Sequence, residues 1–266
     1  MMKSCISIGL VLAFLAGAGR AADTNQIAAL ALLAAVSNAG NPPQAGPVPT
    51  NKPAWESSVS FGLTLTKGNS DTLLANGALN MHRNNPTNEW TFEADATYGE
   101  NNSLENNETL HGFGQYNHLF SERWYGYLRV DALHDGIADV KYRITLSPGA
   151  GYYFIRTKAT LLAGESGPGV VYERLDGENH LYMTPRLAER FEQKFDNHAR
   201  IWQKAEFLPQ VDRWGNFLAY AELGAEAMLT KQLNLRTVVQ DSYANEPAPV
   251  RKDNDLKLIS GLVYRF

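Results

Sequence analysis

Side chains able to do chemistry are few in this chain and stand far apart. Six histidines (His82, His111, His118, His134, His180 and His198) are scattered through 266 residues, and Cys5 is the single thiol. The nearest approach to a catalytic set is Asp131, His134, Asp135 and Asp139, where an imidazole and carboxylates could act as base and orienting group. A solvated loop has the same composition, because loops are polar. No G-x-S-x-G, H-E-x-x-H, P-loop or dinucleotide fingerprint accompanies the cluster. No catalytic residue, cofactor or metal site is therefore assigned, and the reading is of a protein that is not an enzyme.

A second set of charged residues has a different logic. Glu93, Asp95, Arg129, Asp131, Arg186, Arg190, Arg200, Lys204 and Glu206 alternate with apolar neighbours, and Glu222, Glu226 and Lys257 extend the set. Gathered inside a closed wall, charges of both signs could line a narrow aqueous passage and tune its ion selectivity. They could equally pair and seal it, since buried charges must find partners. The expected occupants are small ions or solutes. With 24 Lys+Arg against 28 Asp+Glu, the chain lacks the basic face that nucleic acid requires.

The elements that must position these residues are strands. From Trp55 to Leu65 alternate residues read Trp, Ser, Val, Phe, Leu, Leu, with Glu, Ser, Ser, Gly, Thr, Thr between them. Side chains of a strand point to opposite faces in turn, so the segment has one apolar and one polar face. The pattern recurs in Leu73–Met81, Trp90–Tyr98, Trp124–Ala132, Ile201–Phe207 and Leu256–Phe266. About twelve such segments, mostly about ten to thirteen residues long, suit a tilted membrane-spanning strand better than the shorter strands of soluble domains. Alternation alone also fits a soluble sandwich.

The breaks between segments sharpen the choice. Short breaks at NNPTN (84–88), SER (121–123), IRTK (155–158), KFDNH (194–198) and TKQ (230–232) alternate with longer ones. These are ENNSLENNE (100–108), HDGIADVKY (134–142), ERLDGEN (173–179) and YANEPAPVRKDN (243–254), although the first break, KGNSD, is short. Short turns on one side and long loops on the other mark outer-membrane barrels. Residues 1–22 read as a cleaved signal peptide, with Lys3 before the apolar run Ile6–Leu15 and small residues near Ala18 and Ala21. Residues 23–54 form an Ala-rich then Pro-rich extension or linker, and 55–266 the barrel.

Gly261, Tyr264 and Phe266 form a terminal G-x-x-Y-x-F, which resembles the signal read by the barrel assembly machinery of the outer membrane. Trp55, Trp90, Tyr98, Trp124, Tyr125, Tyr152, Trp202 and Tyr264 fall near strand ends, where they would form interfacial girdles. Trp202 sits on the polar phase and Glu189 on the lipid phase. Glu189 thus marks either a position near the periplasmic end or a register one residue out.

SVSFGLTLTKGNSDT, FSERWYGYLRVDAL, SPGAGYYF, GPGVVYE, LAERFEQKF and the final DSYANEPAPVRKDNDLKLISGLVYRF resemble a family of salt-induced outer membrane proteins of unknown function. The resemblance covers Trp55–Phe266 and implies an outer-membrane β-barrel without an established activity. The fold predicted is an all-β, antiparallel transmembrane barrel of about twelve strands, monomeric and surrounded by outer-membrane lipid. Its function is expected to be a narrow channel with a charged lumen. A sealed structural or ligand-binding barrel is the alternative, and a rim-site hydrolase the remote one.

Overall fold

The computed structural model describes residues 55–66, 72–101, 104–196 and 198–266. The predicted signal peptide, the linker and the KGNSD break lie outside the described residues. The first six strands are β1 (Glu56–Thr66), β2 (Thr72–Asn84), β3 (Asn88–Asn101), β4 (Leu104–Leu119), β5 (Trp124–Asp135) and β6 (Val140–Arg156). The second six are β7 (Thr160–Leu175), β8 (Glu178–Phe195), β9 (Ala199–Gln210), β10 (Arg213–Met228), β11 (Leu233–Ala244) and β12 (Asn254–Arg265). Each strand pairs antiparallel with its sequence neighbours, and β1 pairs with β12 to close a twelve-strand barrel. No helix occurs among the described residues.

Closure rests on a short register, Ser58↔Arg265 to Phe61↔Leu262. Gly261 is required there because a Cβ would lie 2.7 Å from the Phe61 carbonyl oxygen. The seam removes the free sheet edge that would otherwise expose unpaired backbone groups. Hereafter the proximal end is the one carrying Trp55 and Phe266, and the distal end is the other.

The two faces of every strand differ as their alternation predicts. Val59, Phe61, Leu79, Phe92, Leu128, Val130, Leu146, Leu187, Leu223, Leu258 and Leu262 all stand exposed on the outer wall. Aromatics collect toward both ends of this wall. Proximally, Trp90 meets Tyr116 at 4.4 Å between ring centroids, and Trp124 meets Tyr152 at 4.8 Å. Distally, Tyr142 meets Tyr172 at 5.5 Å and Phe217 meets Tyr243 at 5.4 Å. Tyr125 is a correction to the expected girdle: it is 2% exposed and points inward, one residue out of phase with Trp124.

Strand lengths also differ from expectation. β6 and β8 run 17 and 18 residues, well past the predicted ten to thirteen. The expected outer loops are largely absorbed into these strands. ERLDGEN, for example, is hairpin strand up to a turn at Asp176 and Gly177, whose φ values are 49° and 78°. Positive φ at both central residues is the tight-hairpin geometry that Asp-Gly favours, so pairing continues to the tip. Among the described residues, the β11–β12 connection, between Ala244 and Asn254, is the one that stays a long loop.

Candidate functional site

Glu93, Asp95, Arg129, Asp131, Arg186, Arg190, Arg200, Lys204 and Glu206 occupy inward positions of β3, β5, β8 and β9. They do not form one cluster. Instead they fall into linked groups down the lumen.

The middle of the lumen is crossed by an ion pair. In the ring order β3 and β9 are six strands apart, on opposite walls. Lys204 Nζ on β9 nevertheless donates to both carboxylate oxygens of Glu93 on β3, at 3.0 and 3.2 Å. The same ammonium lies 3.3 Å from Glu222 on the neighbouring strand β10, and Glu222 also accepts from Trp202 Nε1 at 2.6 Å. Lys204 and Glu93 keep 26% and 27% side-chain exposure, so water reaches the bridge.

Between β5 and β9 the lumen is filled. Arg186 is 3% exposed and ties Glu165 at 2.7 Å to Glu206 at 2.9 Å. Glu165 also accepts from Tyr125 Oη at 2.8 Å and from Gln115 Nε2 at 2.7 Å. Large rings fit there because glycine faces them across the ladder. Tyr125 pairs with Gly151 and Tyr127 with Gly149 on β6, while Trp202 pairs with Gly224 on β10. A Cβ on Gly151 would come within 2.1 Å of the Tyr125 ring. The opposite wall is lean by comparison, presenting Ser58, Ser60 and Gly62 on β1 and Ala78 and Asn80 on β2.

Toward the distal end, Arg129 holds Asp131 at 2.6 Å, and His111 lies 3.2 Å from Asp95 and 3.9 Å from Asp131. Toward the proximal end, Arg156 pairs with Glu89, and Glu192 is held by Arg190 at 2.9 Å and Lys194 at 3.5 Å. Arg200, Arg236 and Arg265 converge on Glu226. Across the distal mouth, Arg251 of the β11–β12 loop reaches Asp139 of the β5–β6 turn at 2.6 Å. Those two hairpins face each other across the barrel, so the loop straps the opening.

The rim set Asp131, His134, Asp135 and Asp139 is not brought together. Asp131 turns into the lumen toward Arg129, and Asp139 joins Arg251. His134 faces outward and contacts the Lys141 carbonyl at 2.9 Å, while Asp135 caps the Ala138 amide at 2.9 Å. Glu189 does point outward, as the alternation requires. Glu189 lies in the part of β8 toward the proximal end, opposite Gly164 in the Trp124–Tyr152 row, and its register is not displaced. A polar neighbour accommodates it: Gln203 Nε2, also on the outer wall, donates to its carboxylate at 2.9 Å.

Sequence reasoning missed Glu89, Glu165, Glu192, Arg236 and Arg265 as members of the lumen networks. Alternation carried the signal, because each shares the parity of recognised inward residues on its own or a paired strand.

Residues 59–266 match a family described as protein of unknown function, DUF481. The chain belongs to that family. Among curated proteins none matches the sequence. Solved structures do resemble it in shape. An outer membrane channel from Pseudomonas putida F1 aligns over 86% of this chain and all of its own, at 11% identity and TM-score 0.47. The NanC porin aligns over 79% of this chain and 96% of its own, at 7% identity and TM-score 0.46. The KdgM porin aligns over 80% and 99%, at 10% identity and TM-score 0.43. At such values the likeness is one of barrel shape alone.

Proposed function

We propose that this DUF481 member is a bacterial outer-membrane barrel that passes small ions through a narrow, charge-lined lumen, closed at rest by the Glu93–Lys204 bridge. The outer wall supports the address: an apolar belt between two aromatic zones suits a bilayer, and closure satisfies every strand's backbone. The sequence supports export by a signal peptide and assembly through Gly261, Tyr264 and Phe266, giving a monomer surrounded by outer-membrane lipid.

The observation that carries the channel reading is the partial exposure of the bridge. A fully exposed ion pair contributes about 0.2–1 kcal/mol, because solvent screens it and two long side chains must be held still. The quarter-exposed bridge lies between such a pair and a buried one. Such a pair exchanges between closed and open within thermal reach, at about a fivefold ratio for 1 kcal/mol. The lean wall of β1 and β2 supplies the passage when it opens. The strap from Arg251 to Asp139 favours the second reading, a barrel sealed at its distal mouth.

Planar-bilayer recording of the refolded protein separates the two. The channel reading expects brief, small steps whose ion selectivity shifts in an Arg190→Ala, Arg200→Ala variant. Silence from correctly inserted protein, both wild type and Lys204→Met, would establish a sealed barrel. The resemblance to salt-induced proteins adds an expectation that cellular levels rise in high-salt medium.

A further inference from the structure

The carboxylate of Glu226 is 1% exposed and receives more donors than one carboxylate needs. Arg200 donates through Nε at 3.3 Å and Nη2 at 2.9 Å, and Arg236 through Nε at 3.3 Å. Asn234 Nδ2 and Arg265 Nη2 each donate to the other oxygen at 2.5 Å. A carboxylate has about four lone-pair sites, so five hydrogen bonds saturate it. Among the described residues no protein acceptor is recorded for either Nη of Arg236, or for Nη1 of Arg200 and Arg265. Glu192, opposite Trp202 on the adjacent strand β8, is already held by Arg190 and Lys194. Three guanidiniums thus share one carboxylate and leave a local excess of two positive charges.

The surroundings hold these groups in place and leave Arg200 and Arg265 accessible while Arg236 is largely buried. Arg200 and Arg236 each lie over the Trp202 ring, 4.8 and 5.4 Å from its centroid. A small cavity lined by Ser60, Phe61, Asn76, Ile259 and Gly261 adjoins Arg236. Arg200 and Arg265 retain 27% and 47% side-chain exposure, so solutes reach them from the proximal end.

We propose that Arg200, Arg236 and Arg265 form a binding site for a free divalent oxyanion of the sulfate or hydrogen phosphate type, entering from the proximal mouth. Its two negative charges match the excess. Its oxygens would accept the planar, paired N–H groups that guanidinium presents, which makes arginine the usual reader of such anions. A low-dielectric wall focuses the field of uncompensated charges on the space between them. The site lies on the proximal side of the bridge and does not require the lumen to open.

Titration calorimetry of the detergent-refolded protein with sodium sulfate, at ionic strength held constant with sodium chloride, tests this. Saturable binding is expected, weakened at least tenfold in Arg236→Gln and in Arg265→Gln, and unchanged in Arg213→Gln at the distal end. Heat-modifiability on gels confirms folding, and the exposed Arg265→Gln decides the matter should Arg236→Gln misfold. Lys204→Met should bind like wild type, which separates this site from the channel reading. Absence of saturable binding by folded wild type, or equal binding by folded Arg265→Gln, would overturn the proposal.

Discussion

Lys204 on β9 and Glu93 on β3 stand on opposite walls of a twelve-strand barrel, and their side chains meet at 3.0 Å in its middle. No property of either strand alone requires this. A lysine and a glutamate reach each other across a lumen only where neighbouring side chains crowd them toward the axis. Here Phe113 and Trp202 flank the pair: Phe113 lies under Lys204 at 5.9 Å, and Trp202 bonds the adjoining Glu222. The bridge is a product of closure.

Arg186 is the least exposed of the lumen arginines. Substituting it with Met leaves Glu165 and Glu206 facing each other in a nearly buried setting. Removing one member of a buried ionic network costs about 3–5 kcal/mol. Urea unfolding from lipid vesicles should show a midpoint far below that of the wild type. A small change would mean that water replaces the guanidinium freely.

Gly151→Ala should cost about 1–3 kcal/mol, because its Cβ would invade the Tyr125 ring and force a packed core apart. The double variant with Tyr125→Leu should recover most of that loss. Additive losses, read by the same unfolding assay, would show that the two residues do not share one space.

How much of this was legible beforehand follows from period two. Alternation puts Glu93, Arg129, Arg190 and Lys204 on the polar phase, and they occupy inward positions of their strands, because a strand offers a side chain only two directions. It could not say which inward charges would touch. Arg186 bonds Glu206 on an adjacent strand, whereas Lys204 bonds Glu93 six strands away, and strand sequence is silent on that distance. Tyr125 was misread because aromatic girdles and lumen aromatics have the same composition. Its phase, opposite to Trp124 and shared with Arg129, places it inward, and the inward glycines of SPGAGYYF leave room for its ring on the facing strand. The long outer loops were misread because polar, Asn-rich and Asp-Gly segments read as loops even where they continue to pair.

Glu189 and Gln203 make a polar pair on a wall where apolar side chains predominate. Gln203→Leu leaves an acid facing lipid without its donor and should destabilise the barrel in vesicles. Replacing both with Leu should restore or exceed wild-type stability, since a charge on the lipid face costs up to a few kcal/mol near the midplane. Loss of stability in the double variant would point to a protein partner on that wall and contradict a monomer.

The Arg251–Asp139 strap has both side chains about 40% exposed, so it contributes less than about 1 kcal/mol and weakens with salt. In Asp139→Ala, trypsin added at the distal side should cut the β11–β12 loop after Arg251 or Lys252 severalfold faster than in wild type. In high salt that difference should vanish. Equal rates at low salt would show that the loop is not held by this contact.

The most direct test of the account is a conductance cycle on Glu93→Gln, Lys204→Met and the double variant, in planar bilayers under one voltage and salt. If the bridge is the gate, each single variant lengthens the open time markedly and the double adds little, because both remove the same contact. If the single variants conduct no more than wild type, or if their effects add in full, the pair does not close the lumen.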